Sequence, residues 1–284
     1  MNNEQNQFYT SISNYYSEIF PYQPMQLQFV KNRVGELAGK HILDIGCATG
    51  ELAYQLVGAG VQVTGIDLNE DLLNQAIGCS GFPARCSGRL SAVSLKSESE
   101  FTPPNLHFEI GNMLDLETDF QPSQFDVVLC FGNTLVHLQT VELMRQMLNG
   151  VYSVLMPGGQ FLLQILNYDY ILGEQVSELP VIETESIRFI RNYKFEESSS
   201  LIRFQTELVL KKENKSISNE TQLFAIKSIE LIELLENAGF QNIELFSNFK
   251  QEPFGGKHLP MVVSADKLLR KIVSPFLPVY FPPK

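Results

Sequence analysis

The stretch from His41 to Leu56 constrains this chain more than any other. A short apolar run, His41 to Ile45, carries Asp44 at its end. A glycine turn follows, Gly46-Cys47-Ala48-Thr49-Gly50, and then an amphipathic helix pattern. Seventeen residues beyond Gly50 a second apolar run, Val61 to Ile66, ends in Asp67. A strand, a glycine turn, a helix and a second strand tipped by an acid specify a nucleoside-binding βαβ unit. Glycines let the backbone pass close to a ligand where a Cβ would collide. The carboxylate of Asp67, with Leu68 beside it, can accept from both hydroxyls of a ribose.

The spacing argues against a dinucleotide. A phosphate loop wants G-x-G-x-x-G so that a pyrophosphate can sit on a helix N-terminus. Here the spacing is G-x-x-x-G, and Asp44 precedes it by two residues. An anionic side chain there would repel a pyrophosphate and attract a cation. The D-x-G-C-x-x-G turn resembles that of class I S-adenosylmethionine-dependent methyltransferases, whose cofactor carries an ammonium and a sulfonium and no phosphate. The resemblance implies that Asp44, Gly46, Cys47, Ala48, Gly50, Asp67 and Leu68 hold this cofactor.

The rest of the chain alternates. Strands are expected at 41–45, 61–66, 106–110, 125–130 and 159–165, and helices near 50–58, 69–77 and 139–155. That pattern predicts an α/β, Rossmann-like sheet, mostly parallel, with helices on both faces. Residues 187–195, 201–210 and 216–226 are β-rich and predict a three-stranded antiparallel insertion after the fifth strand, covering the substrate site. A helix at 228–238, stopped by Gly239, and strands at 241–249 and 258–265 complete seven strands. The expected organisation is a helical lid (1–40), a cofactor-binding core (41–180), the insertion (181–227), the end of the core sheet (228–266) and a tail (267–284). Two helices broken at Pro21 and Pro24 are read in 8–38. They form either a packed helix at the sheet edge or a lid in which Tyr15 or Tyr16 touches the cofactor. Residues 78–104, rich in Ser, Gly and Pro, read as a mobile insertion. The apolar, proline-rich tail reads as a packing or homo-oligomer contact, as disorder, or as a peripheral membrane contact.

Composition removes other classes. The net charge of −11 argues against a nucleic-acid partner. No signal peptide or membrane-spanning run is visible, and the four cysteines have no metal-ligand spacing, which points to a reducing cytoplasm and no metal.

Three further segments carry chemistry. The third strand ends in Gly111-Asn112-Met113, matching the methyltransferase turn in which a polar side chain and the next N–H meet the adenine. The fourth strand exits through Cys130-Phe131, expected beside the methionine part of the cofactor. The run Gly132-Asn133-Thr134-Leu135-Val136-His137-Leu138 and the later Asn167-Tyr168-Asp169-Tyr170-Ile171-Leu172 resemble the glycine/sarcosine N-methyltransferase group. Asn133 and His137, four apart, would share a helical face at the rim of the sheet. His137 is the expected base for a hydroxyl acceptor, and Asn133 and Tyr168 the expected positioning residues.

One departure bears on substrate. Where that group carries a carboxylate-gripping arginine just before Asn-Tyr-Asp, this chain has Leu166. Leucine cannot replace a bidentate guanidinium, so glycine is not expected as the acceptor. A neutral or apolar small molecule is expected instead. Arg188, Arg191 and Arg203 are read as solvated strand residues, or else as a charge supplied from the insertion. The expected reaction is in-line methyl transfer to nitrogen or oxygen. A non-catalytic S-adenosylmethionine-binding protein and a NAD-dependent oxidoreductase are the competing readings.

Overall fold

The computed structural model describes residues 3–78, 103–196 and 199–269. The readings made for 79–102 and for most of the tail lie outside them.

Seven strands form the main sheet: β1 His41–Ile45, β2 Gln62–Asp67, β3 Leu106–Ile110, β4 Phe125–Cys130, β5 Leu155–Leu166, β10 Gln241–Phe246 and β11 Pro260–Asp266. Their order is β10-β11-β5-β4-β1-β2-β3. The strands from β5 to β3 are parallel, and β11 and β10 are antiparallel. The central strands are continuous apolar runs because helices cover both faces and leave no solvated side. The order reverses around β1, which pairs β2 on one side and β4 on the other. At such a reversal the loops diverge and open a crevice at the strand tips.

The covering helices are α4 Glu51–Gly58, α5 Glu70–Gly78, α6 Leu116–Asp119, α7 Val141–Val154, α8 Tyr168–Gly173 and α9 Ser228–Ala238. Helix α7 shows how the sequence specifies one of them. Met144, Met147, Leu148, Val151 and Val154 recur on one face and are fully buried, and the Thr140 side chain caps the Leu143 N–H. The left-handed Gly239 ends α9 as expected.

The insertion is a separate four-stranded antiparallel sheet: the short β6 Ile182–Glu183, then β7 Ile187–Phe195, β8 Leu201–Leu210 and β9 Lys215–Phe224. Two-residue β6 escaped the sequence pattern because it is too short to alternate. Strand β5 also starts earlier than expected. Its Pro157-Gly158-Gly159 stretch lies within the strand as an irregularity, where the pairing to β4 jumps from Leu155 to Gln160.

The N-terminal segment comprises α1 Asn3–Ile12, α2 Tyr16–Ile19 and α3 Pro24–Val34. Pro24 opens α3 rather than breaking it, since the first helical position needs no N–H donor. Helices α1 and α2 pack on the insertion instead of the main sheet edge: Phe8 and Ile12 of α1 and Ile19 of α2 form one apolar cluster with Ile187, Phe189, Leu208 and Leu210.

Candidate active site

The tips of β1, β2 and β4 meet α1 and the insertion around two connected spaces. A narrow pocket is lined by Tyr9, Tyr16, Gly46, Ala48, Asp67, Leu68, Gly111, Met113 and His137, among others. A larger cavity of about 740 Å³ runs from Asp44 and the glycine turn past Phe131 and Asn133 to Leu166, Arg191 and Tyr193. That volume lies within the roughly 300–1,000 Å³ usual for small-molecule sites.

The glycine turn is held from below. The N–H groups of Gly46 and Cys47 both donate to the Ile66 carbonyl, at 2.8 and 3.1 Å. Gly46 and Gly50 adopt φ of 73° and 72°. A Cβ on Gly46 would lie 2.7 Å from the Thr134 hydroxyl oxygen, and one on Gly50 would lie 2.4 Å from the Phe108 ring. The glycines therefore make room for protein side chains as well as turning the chain. Gly46 also lines both spaces, whereas Gly50 lines neither.

Two carboxylates face this turn. Asp67 is oriented by backbone donors: Ala48 N–H reaches Oδ2 at 2.9 Å and Asn69 N–H reaches Oδ1 at 2.8 Å. Burial still raises its pKa. Asp44 is only 4 % exposed. No donor among the described residues satisfies its carboxylate. Burial, followed by repulsion from Asp67, pushes its pKa up to about 7. A buried acid with no donor and an acidic neighbour is costly unless a cation arrives.

The other predicted residues divide. Tyr16, Cys47, Ala48, Leu68, Met113, Phe131, Asn133 and His137 line one or both spaces. Tyr15 does not; its hydroxyl turns to Glu213. Cys130 is corrected: its side chain is fully buried in the core beneath the sheet tip, since it points to the face opposite Phe131. Asn112 sits between the lining residues Gly111 and Met113, and its Oδ1 accepts the Leu114 N–H at 3.1 Å.

Asn133 and His137 line the same cavity, though not as a helical pair. Asn133 takes a left-handed φ of 68° and only Leu135–His137 form a single 3₁₀ turn. The Asn133 side chain accepts the Leu166 N–H at 2.9 Å and donates to the Tyr168 hydroxyl at 3.2 Å. It thus ties the tip of β4 to the end of β5. Tyr168 is fully buried, and burial raises its phenol to about 12. His137 Nε2 lies 2.8 Å from the Tyr9 hydroxyl, and burial lowers the imidazole to about 4.

Sequence reasoning missed Tyr9 and Asn69. Asn69 caps the start of α5 through Leu72 N–H, and its amide binds Asn6 and Thr10 of α1. Its position two residues after Asp67, just before a helix pattern, was the available signal. Tyr9 had none, because its partner lies 128 residues away.

The order of the sheet, the crevice at its reversal and the paired acids define a class I nucleoside-binding transferase fold. The sequence pattern of the family described as a methyltransferase domain matches residues 36–222, and the chain belongs to this family of S-adenosylmethionine-dependent methyltransferases. Among curated relatives it is similar to the ubiquinone biosynthesis O-methyltransferase of Idiomarina loihiensis, 31% identical over 146 residues, 51% of this chain and 49% of that protein. The chain spans about half the length of the curated relatives it matches. Two solved structures share the fold. The CcbJ methyltransferase of Streptomyces caelestis has a TM-score of 0.69 at 19% identity, covering 89% of this chain and 95% of that one. An S-adenosylmethionine-dependent methyltransferase of Clostridium acetobutylicum has a TM-score of 0.71 at 16% identity, covering 92% and 99%.

The residues present fit S-adenosylmethionine. The unsatisfied carboxylate of Asp44 suits its ammonium, and Asp67, preorganised by two N–H groups, suits its ribose hydroxyls. A pyrophosphate would meet Asp67 and no lysine or arginine in the narrow pocket, with Asp44 facing the adjoining cavity. Among the described residues, no helix is long and apolar enough to cross a membrane.

Proposed function

We propose that this protein transfers a methyl group from S-adenosylmethionine to a nitrogen or oxygen of a small acceptor, with nitrogen favoured. The observation that carries this reading is Asp44, a buried carboxylate without a donor at one end of a cavity too large for the cofactor's methionine end alone. Asp44 balances the ammonium, Asp67 and Leu68 hold the ribose, and Asn112 and Met113 flank the adenine. When bound, S-adenosylmethionine supplies an electrophilic methyl on a sulfonium, so the protein's task is to place a nucleophile in line and exclude water.

Nitrogen is favoured because the one base of raised pKa in the cavity, Asp44, is taken up by the cofactor's ammonium in this reading, and the acceptor side offers no other strong base. His137 at about 4 is too weak to deprotonate a hydroxyl, and burial raises the phenols of Tyr9, Tyr16 and Tyr193. A neutral amine needs none: its lone pair forms the new C–N bond as the C–S bond breaks, and its proton then leaves to solvent. His137, neutral and fixed by Tyr9, acts as a hydrogen-bonding wall of the acceptor space. Asn133 and Tyr168 position the strand tips. Leu166, whose side chain lines the cavity, supports exclusion of glycine. The net negative charge supports a small-molecule role without nucleic acid, the cysteine pattern supports a reducing cytoplasm, and the tail is the candidate homo-oligomer contact.

Transfer of labelled methyl from S-adenosylmethionine to matched amines and phenols tests this reading. Turnover of amines above phenols is expected. Exclusive methylation of phenols would reverse the nitrogen assignment.

A further inference from the structure

The insertion sheet turns an unusual face toward the cavity. Arg191 and Tyr193, two apart on β7, project to the same side and both line it. Across the ladder Arg191 pairs with Thr206, and Tyr193 pairs with Phe204, which pairs with Thr221. Much of the rest of this face is apolar, with Ile187, Phe189, Leu208 and Leu223 buried, and its Asn219 is bonded to Ser11 of α1.

Six buried side-chain polar atoms among the described residues lack a hydrogen-bond partner. Four of them lie on this one face, Arg191 Nε, Tyr193 Oη, Thr206 Oγ1 and Thr221 Oγ1; of these residues only Arg191 and Tyr193 line the cavity, and the Tyr193 hydroxyl sits beside that of Tyr168. Buried polar atoms are nearly always paired, so a guanidinium with an unpaired Nε in the cavity wall marks a place for a partner from outside the chain. Arg191 is partly fixed, its Nη2 donating to the Pro180 carbonyl at 2.7 Å. No carboxylate among the described residues pairs with it. The other two arginines of the insertion differ: Arg188 is exposed, and Arg203 is exposed and bonded to Glu196 at 2.7 Å. The other full cation of the cavity lining, Lys250, is exposed.

We propose that the methyl acceptor carries an oxyanion, a carboxylate or a phosphate, and that Arg191 and Tyr193 bind it. This rests on the methyltransferase reading and names the acceptor class of the same site. The guanidinium of Arg191, which has no carboxylate partner among the described residues, supplies the charge for a charge-assisted bond, and the phenol of Tyr193 adds a neutral donor. The cavity continues from this face to Asn133 and Gly132, so the oxyanion is anchored at the sheet and the nucleophile points to the strand tips. Leu166 therefore does not make the acceptor neutral. It moves the anion-binding point from the end of β5 to the insertion, which suits a longer acceptor than glycine.

The test is calorimetric titration of the full chain, saturated with S-adenosylhomocysteine, with benzoate, phenyl phosphate and benzamide. At least one oxyanion is expected to bind about tenfold to hundredfold tighter than the neutral amide, the range of one charge-assisted hydrogen bond. The better of benzoate and phenyl phosphate identifies the group. Arg191→Gln should abolish that preference with S-adenosylhomocysteine affinity within about twofold of wild type. Equal affinity for all three probes in the wild type, including no measurable binding of any, overturns the proposal whether or not the variant folds. An undiminished oxyanion preference in a folded Arg191→Gln overturns it as well. Failure of S-adenosylhomocysteine itself to bind would strike the methyltransferase reading instead.

Discussion

The two walls of the cavity handle polar groups in opposite ways. On the main-sheet side the functional acid Asp67 is held by two backbone N–H groups before any ligand arrives, and the turn below it is fixed by the Ile66 carbonyl. On the insertion side Arg191 keeps its Nε buried and unpaired and has no carboxylate partner among the described residues. The first wall has its acid oriented in advance, as the proposed ribose contact requires. The second offers a cation without a carboxylate partner, as the proposed acceptor contact requires. Asp44 and the Nδ1 of His137 are exceptions on the first wall, and the proposed partner of Asp44 is the cofactor's ammonium.

The largest effect should come from the turn itself. Gly46→Val places a branched side chain at positive φ and against Thr134. We expect a loss of about 3 kcal/mol or more of stability, read by thermal denaturation, with cofactor binding abolished. Wild-type stability would break the claim that this wall is rigid. Next, Asp67→Ala removes the ribose acceptor. It should weaken S-adenosylmethionine binding about a hundredfold, as for two lost hydrogen bonds to a charged group, with little change in fold. Unchanged affinity in a calorimeter would show that the ribose sits elsewhere.

How much of this was legible depended on distance along the chain. The glycine turn, Asp44 and Asp67 occupy 24 consecutive residues, Asp44 to Asp67, and local pattern sufficed. Each central strand was visible because burial on both faces makes a continuous apolar run. Asn133 was legible as a candidate but not in its left-handed turn, which depends on a bond to Leu166, 33 residues away. Tyr9 meets His137 only after α1 docks on the insertion, and Arg191 becomes distinct from Arg203 only once strand register assigns them opposite faces. Cys130 was misplaced because adjacent strand residues point opposite ways, so only Phe131 of that pair reaches the cavity.

Two smaller effects sharpen the contrast. Asp44→Asn should weaken S-adenosylmethionine about tenfold at pH 7.5 while raising the melting temperature of the cofactor-free protein by a few degrees, because an uncompensated buried charge is removed. A lower melting temperature would mean that Asp44 is already satisfied. The folded pKa of Asp44 lies above its unfolded value, so the folded chain holds a proton that the unfolded chain releases from about pH 4 upward. Its contribution to stability is therefore present at low pH and is lost as pH rises toward 7. The smallest effect is a gain: Leu166→Arg should raise transfer to glycine a few-fold by restoring a carboxylate grip on β5. No gain on any amino acid in a labelled-methyl assay would contradict the account of why glycine is excluded.

The most direct measurement is the affinity for S-adenosylmethionine as a function of pH, by calorimetry, in the wild type and in Asp44→Asn, with NAD as a control. Binding of a cation must drive the proton from Asp44, so wild-type affinity should rise about tenfold per unit as pH increases to about 7 and then level, while the variant stays flat. A wild-type profile as flat as the variant's, or binding of NAD in place of S-adenosylmethionine, would contradict the assignment of Asp44 and the site built around it.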